Sequence, residues 1–276
     1  MCSDCVSKTV VPDIPLRKRQ GFTLVELAIV LVIIGLIIGG ILVGQDMIRA
    51  AEIRATVGQI EKYNASVNVF RDKYGYLPGD ITSSAAARFG FEPRSGMLGH
   101  GDGDAQLRGC AYNLAFAGCE AVLFWRDLND ANMIDGSFQT AIDAQVNAAT
   151  PDEVKLYLPE AKIGRGNLVS VYGSWAYNYY HIGAITAITG GGPTMQASLT
   201  PQESFNIDDK IDDGKPSTGT VRAAQPSGSY NRVTATGFAI PAACASVQEY
   251  NTIMGSGTMS SDAANTPACH LRIRFN

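Results

Sequence analysis

Glu26 is the one ionisable residue in a stretch that is otherwise membrane-grade. Phe22-Thr23-Leu24-Val25 precede it, and Leu27 to Val43 follow it as LAIVLVIIGLIIGGILV, without a charge. A carboxylate deep in such a segment costs roughly 2.5–3.5 kcal/mol on insertion scales, and less near the end of a span. A Glu at that place calls for a partner, and the apolar run itself supplies none. Two further groups of carboxylates could do chemistry. Asp102-Gly103-Asp104 sits in GHGDGD, and its D-x-D spacing opens like a calcium loop. It then departs from one, with Gln106 at the third ligand position and Asn113 where a bidentate Glu is wanted. Asp208, Asp209, Asp212 and Asp213 surround Ile211. Calcium needs six to eight oxygens. Each stretch fits either a calcium site, through Asp102 and Asp104 or through Asp209, Asp212 and Asp213, or a solvated turn. Asp-Asp-Gly with a proline two residues on is ordinary turn chemistry. Calcium is the only cofactor that these residues suggest.

Nothing else converges on a reaction. The histidines are His100 in a Gly-rich loop, His181 at the end of an aromatic strand and His270 after a cysteine. None has a nucleophile beside it, and no hydrolase, zinc-protease or Walker motif occurs. Gly190-Gly191-Gly192 lacks the Lys and helix start of a phosphate cradle. Cys2 and Cys5 have C-x-x-C spacing without a second ligand pair, which is the spacing of chance. The chain reads as a non-enzyme with no catalytic residue.

The elements that position these residues follow from periodicity. Phe22 to Tyr74 reads as one long helix. Past the apolar run, Ile48, Ile53, Val57, Ile60, Val67 and Phe70 recur at steps that share one face. Asp46, Arg49, Glu52, Arg54, Glu61, Lys62 and Lys73 lie opposite. Pro78-Gly79-Asp80 ends the helix. Ile81 to Gly118 reads mostly as loop, Glu120 to Ile134 as a second helix, and Asp143 to Glu160 as ambiguous with a short helix. Leu168 to Ile182, Val233 to Ile240 and Leu271 to Phe275 read as strands, from their β-branched and aromatic content or alternation. Helices followed by strands give an α+β class.

Arg17-Lys18-Arg19-Gln20-Gly21 stands directly before the apolar run. Positive charge holds that flank in the cytoplasm. Residues 1–21 then stay inside, a span covers about 22–45, and the rest emerges outside. An ordinary secretory signal has a shorter apolar core and a small-x-small cleavage site, and neither is present.

At these residues a resemblance becomes specific. RKRQ-G-FTLVELAIVLVIIGLIIGGILV resembles the class III signal of type IV prepilins and type II secretion pseudopilins. It covers about the first fifth of the chain, with looser likeness through YGYLPGD (74–80) and IDDKIDDGKPSTGTV (207–221). The resemblance implies cleavage between Gly21 and Phe22 by a prepilin peptidase, N-methylation of Phe22, and Glu26 as the family's acidic assembly residue. It implies three parts: leader 1–21, helix 22–74 and a globular head 75–276. It implies a pilin-like fold, with the long helix packed on an antiparallel β-sheet head. The partners implied are copies of itself and other pilins, the peptidase, an assembly platform with its ATPase, and the bacterial inner membrane. The head would lie in the periplasm and later in an extracellular pilus or periplasmic pseudopilus. A pilus subunit, a secretion pseudopilin and an anchored binding domain using the same signal all fit.

Composition agrees with export. The full chain of 276 residues has a net charge of −4. The leader carries Lys8, Arg17, Lys18 and Arg19 against Asp4 and Asp13, which leaves the mature chain at −6. That charge disfavours a nucleic-acid partner. Four cysteines remain after cleavage. In an oxidising compartment they allow three pairings, and sequence proximity favours Cys110–Cys119 and Cys244–Cys269.

Overall fold

Helix α1 runs Leu24–Tyr74, a single element of 51 residues in the computed structural model of the chain. The structure describes residues 22–94, 101–107, 120–139, 148–174, 177–189, 192–224, 243–245, 250 and 265–275. Its start is set by Thr23. The Thr23 backbone N–H and hydroxyl donate to Glu26 Oε2, each at 2.8 Å, and the Glu26 N–H donates back to the Thr23 hydroxyl at 3.2 Å. That reciprocal pair is a capping box, which satisfies donors the first turn cannot.

The chain divides into two compact units, Met1–Met47 and Ile48–Asn276. In the first, every described residue from Phe22 to Val43 is exposed. Among the described residues, α1 alone is long and apolar enough to cross a membrane.

In the second unit, α1 buries Ile53, Thr56, Ile60, Tyr63, Ser66, Val67 and Phe70. Steps of three and four keep these on one face. The stripe expected from sequence holds at Ile53, Ile60, Val67 and Phe70, with Val57 half-buried. It fails at Ile48, which is exposed. Among the described residues four shorter helices follow: α2 (Ser83–Phe89), α3 (Glu120–Asp130), α4 (Pro151–Val154) and α5 (Pro201–Ile211). The strands are β1 (Asn167–Ser174), β2 (Tyr177–Thr189), β3 (Gly192–Gln196), β4 (Val221–Ala224) and β5 (His270–Phe275). All pairings are antiparallel, in the order β1-β2-β5-β4, with β3 also on β2. The α+β class and the pairing of a long N-terminal helix with an antiparallel sheet are as expected, and the architecture is pilin-like.

An aromatic cluster joins these elements. The Tyr63 ring meets Trp125 edge-on at 4.9 Å, Phe124 meets Tyr180 at 6.2 Å, and Tyr180 stacks on Phe275 at 4.1 Å. So α1, α3, β2 and β5 share one core. Such pairs add about 0.5–1.5 kcal/mol each beyond the area they bury.

Several boundaries differ from the sequence reading. Leu168 to Ile182 is not one strand but parts of two, since β1 and β2 pair back on each other from Ser174↔Tyr177 outward. Strand-type β-branched and aromatic residues lie on both sides of the reversal, so composition did not reveal it. Helix α3 ends at Asp130 rather than Ile134. Asn132 takes a left-handed φ of 56°, and the Met133 N–H returns to the Leu128 carbonyl. Residues 81–118 contain α2, capped by Thr82 and by Gly90 in the left-handed region. Helix α5 was not foreseen. The proposed strand 233–240 lies outside the described residues.

Candidate functional site

The N-terminal site consists of Phe22, Thr23 and Glu26, since Gly21 lies outside the described residues. Phe22 is 89% exposed. Both hydrogen bonds from Thr23 reach Oε2 of Glu26. Among the described residues, Oε1 has no protein donor. The capping box therefore fixes the carboxylate at the helix start and leaves one oxygen for another group. The sequence pattern Thr-x-x-Glu was the signal for this, whereas Glu26 stood out only as a lone carboxylate in an uncharged run.

The structure also brings together carboxylates far apart in sequence. The turn that ends α1 places Asp80 beside the loop 101–107. Asp80 accepts from the Gly103 and Ala105 backbone N–H groups at 2.8 and 2.7 Å. The far end of that loop is tied to β2, where Asn178 accepts from the Leu107 N–H and donates to the Ala105 carbonyl. Glu120, the first residue of α3, accepts from the Gly101 N–H at 2.8 Å through Oε1. One oxygen from each of Asp80, Asp102 and Glu120 falls within 4.8 Å of the others. Two glycines permit this closeness. A Cβ on Gly79, at φ 85°, would run into the Glu120 carbonyl oxygen, and one on Gly101, at φ 64°, into that of Ile81.

Burial pushes the Asp80 carboxyl up to about 6 against its two backbone hydrogen bonds. Glu120 rises to about 10, first through burial and then through the charge of Asp80. The nearby cation Arg94 is engaged elsewhere. Its guanidinium bonds both oxygens of Asp127, at 2.9 and 2.7 Å, and the carbonyls of Ile81 and Glu92. Of the residues proposed from sequence, Asp102 joins this group. Asp104 sits two residues on and accepts from the Gln106 N–H. Asp80 and Glu120 carried no sequence signal.

The second acidic group gathers Asp208, Asp212 and Asp213, with Asp209 outside it. Asp208 accepts from the Gly214 N–H at 3.1 Å and from the Tyr250 hydroxyl at 2.8 Å. Asp212 accepts from the Thr220 and Val221 N–H groups. Asp213 accepts from the Lys215 N–H and the Thr218 hydroxyl. Burial raises the Asp208 carboxyl to about 7, although both hydrogen bonds pull it down.

Cys244 and Cys269 are joined by a disulfide with Cα atoms 5.0 Å apart. Cys110, Cys119 and His100 lie outside the described residues. His181 and His270, distant in sequence, meet in the core with His270 Nδ1 3.1 Å from His181 Nε2. His181 lies within β2 rather than at a strand end. Burial lowers both, first through loss of solvent, which disfavours a charge on either ring.

A family model of the prokaryotic N-terminal methylation motif matches residues 16–42, which span Gly21, Phe22, Glu26 and most of the apolar run. The chain carries a prepilin-type class III signal. That signal is the one found on type IV pilin and pseudopilin-like proteins, and it accounts for Glu26 inside an uncharged segment. Searches of curated proteins and of solved structures gave no match.

Proposed function

We propose that this chain is a structural subunit, cleaved between Gly21 and Phe22, N-methylated on Phe22 and polymerised into a type IV pilus. The observation that carries this reading is the exposed, uncharged run behind Glu26. Such a surface needs a cover. In the unassembled subunit the inner membrane provides it, with the head in the periplasm. In a filament the same run on neighbouring copies provides it. Cleavage frees the amine of Phe22, and Glu26 Oε1 accepts it on the same chain or on a neighbour. An assembly platform and its ATPase supply the work of extraction.

Type II secretion pseudopilins share the signal. The size of the region 75–276 favours a pilus subunit over a small major pseudopilin. Electron microscopy of a deletion strain separates the two. Lost surface fibres support the pilus, and a secretion defect in cells that never had fibres supports the pseudopilus.

Glu26→Ala tests the assembly role. Membrane insertion and processing persist, because the helix becomes more apolar and the scissile bond is unchanged. Incorporation into sheared filaments falls sharply, because an unpaired buried amine costs several kcal/mol per subunit. Normal assembly of Glu26→Ala would refute the charge-pair role.

A further inference from the structure

We propose that Asp80, Asp102 and Glu120 form a binding site for a hard divalent cation, calcium first among them. This inference concerns the head and does not rest on the filament reading. Three acidic residues close together are not a site by themselves. The deciding observation is Glu120. Its side chain is fully buried, Oε1 accepts from Gly101, and Oε2 has no hydrogen-bond partner. A buried carboxylate oxygen without a donor is costly and uncommon. Its carboxylate faces the oxygens of Asp80 and Asp102. Among the described residues no Lys or Arg makes an ion pair with any of the three, since Arg94 is held by Asp127.

The donor set decides the class of ligand. Carboxylates alone, without sulfur or imidazole, suit calcium, magnesium or manganese rather than zinc or copper. Asp102 is exposed while Asp80 and Glu120 are buried. One side of the cluster therefore opens to solvent, which gives the ion a way in and leaves room for water ligands. Calcium accepts such irregular, partly hydrated shells, whereas magnesium demands near-octahedral geometry. The three ligands come from the turn after α1, the 101–107 loop and the start of α3. A bound ion would cross-link all three where their charges otherwise repel.

The test uses the full chain in detergent, stripped with a chelator and titrated with calcium chloride by isothermal calorimetry and thermal melting. Wild type binds calcium and melts higher when saturated. Asp102→Asn, an exposed substitution that keeps the fold, weakens binding by about tenfold or more. Glu120→Gln melts higher than wild type in chelator and gains nothing from calcium. The double variant Asp212→Asn/Asp213→Asn still binds. The proposal is overturned if wild type binds no calcium, or if Asp102→Asn and Glu120→Gln bind as tightly as wild type. The first result means that Glu120 is kept neutral by a proton instead, and the second that calcium binds elsewhere on the chain.

Discussion

The carboxylates around Asp80 come from three separate segments and those around Asp208 from one, yet each group brings three acidic oxygens within 4.8 Å. Around Asp208, every residue has protein donors: two N–H groups for Asp212, an N–H and a hydroxyl each for Asp208 and Asp213. That group is a capped turn between α5 and β4, and its buried member, Asp208, has a donor on each oxygen. Around Asp80, Glu120 keeps one buried oxygen without a donor. A third arrangement lies next to it, where Asp127 is equally buried but meets Arg94 at 2.7 Å. Counting acidic residues does not separate these cases. Counting donors does.

The largest effect should come from converting the third arrangement into the first kind. Arg94→Ala leaves Asp127 buried without its cation, with the Gly79 N–H as its remaining donor. Removing one partner of a buried pair costs about 3–5 kcal/mol, measured as a lower midpoint in denaturant unfolding. A loss under about 1 kcal/mol would show that water reaches Asp127, and the contrast between paired and orphaned carboxylates would weaken.

A smaller effect tests the completeness of the Asp208 group. Tyr250→Phe removes a hydrogen bond to a carboxylate, worth about 1.5–3 kcal/mol where the group is charged. pH gives a second readout. Asp208 holds its proton more tightly when folded, up to about 7, against 3.8 for the ordinary group. Its contribution is fully present below pH about 4 and is lost as pH rises towards 7. Asp208→Asn should flatten that slope in thermal melts across pH 4–8. The groups facing Asp208 are Tyr250, Asp212 and Asp213. Asp213 is held below the usual carboxylate range, first by the Thr218 hydroxyl. Its contribution has the opposite sign, being lost as pH falls.

The smallest effect is at the rim. Asp213 is exposed, and Asp213→Ala should change stability by only about 0.5 kcal/mol. A much larger loss would mean that this turn carries more of the fold than its exposure suggests, and would blur the distinction from the Asp80 group.

Part of the molecule was legible from local pattern. The Glu26 position, the basic flank and the uncharged run are contiguous, so their meaning needs no tertiary information. The buried stripe of α1 and strand β5 follow from periodicities of 3.6 and 2. Other local signals were present but unused. Thr150-Pro151-Asp152-Glu153 and Thr200-Pro201-Gln202-Glu203 each form a capping box with proline at the first helical position. They would have located α4 and α5. Thr23 and Glu26 share the same pattern without the proline.

By itself the sequence determined the export signal, the class of fold and the long helix, because each rests on neighbours along the chain. Tertiary structure decided the rest. It reversed the run through Ser174 and Tyr177 into two strands, since residues of the same strand-forming types lie on both sides of the turn. It brought His181 against His270, and Asp80 against Asp102 and Glu120. Those pairs are separated by tens of residues, and no spacing rule links them. Which oxygens find donors is settled only when the backbone of one segment closes on the side chains of another. That is why Asp208 ends in a finished turn and Glu120 keeps an oxygen facing two other carboxylates.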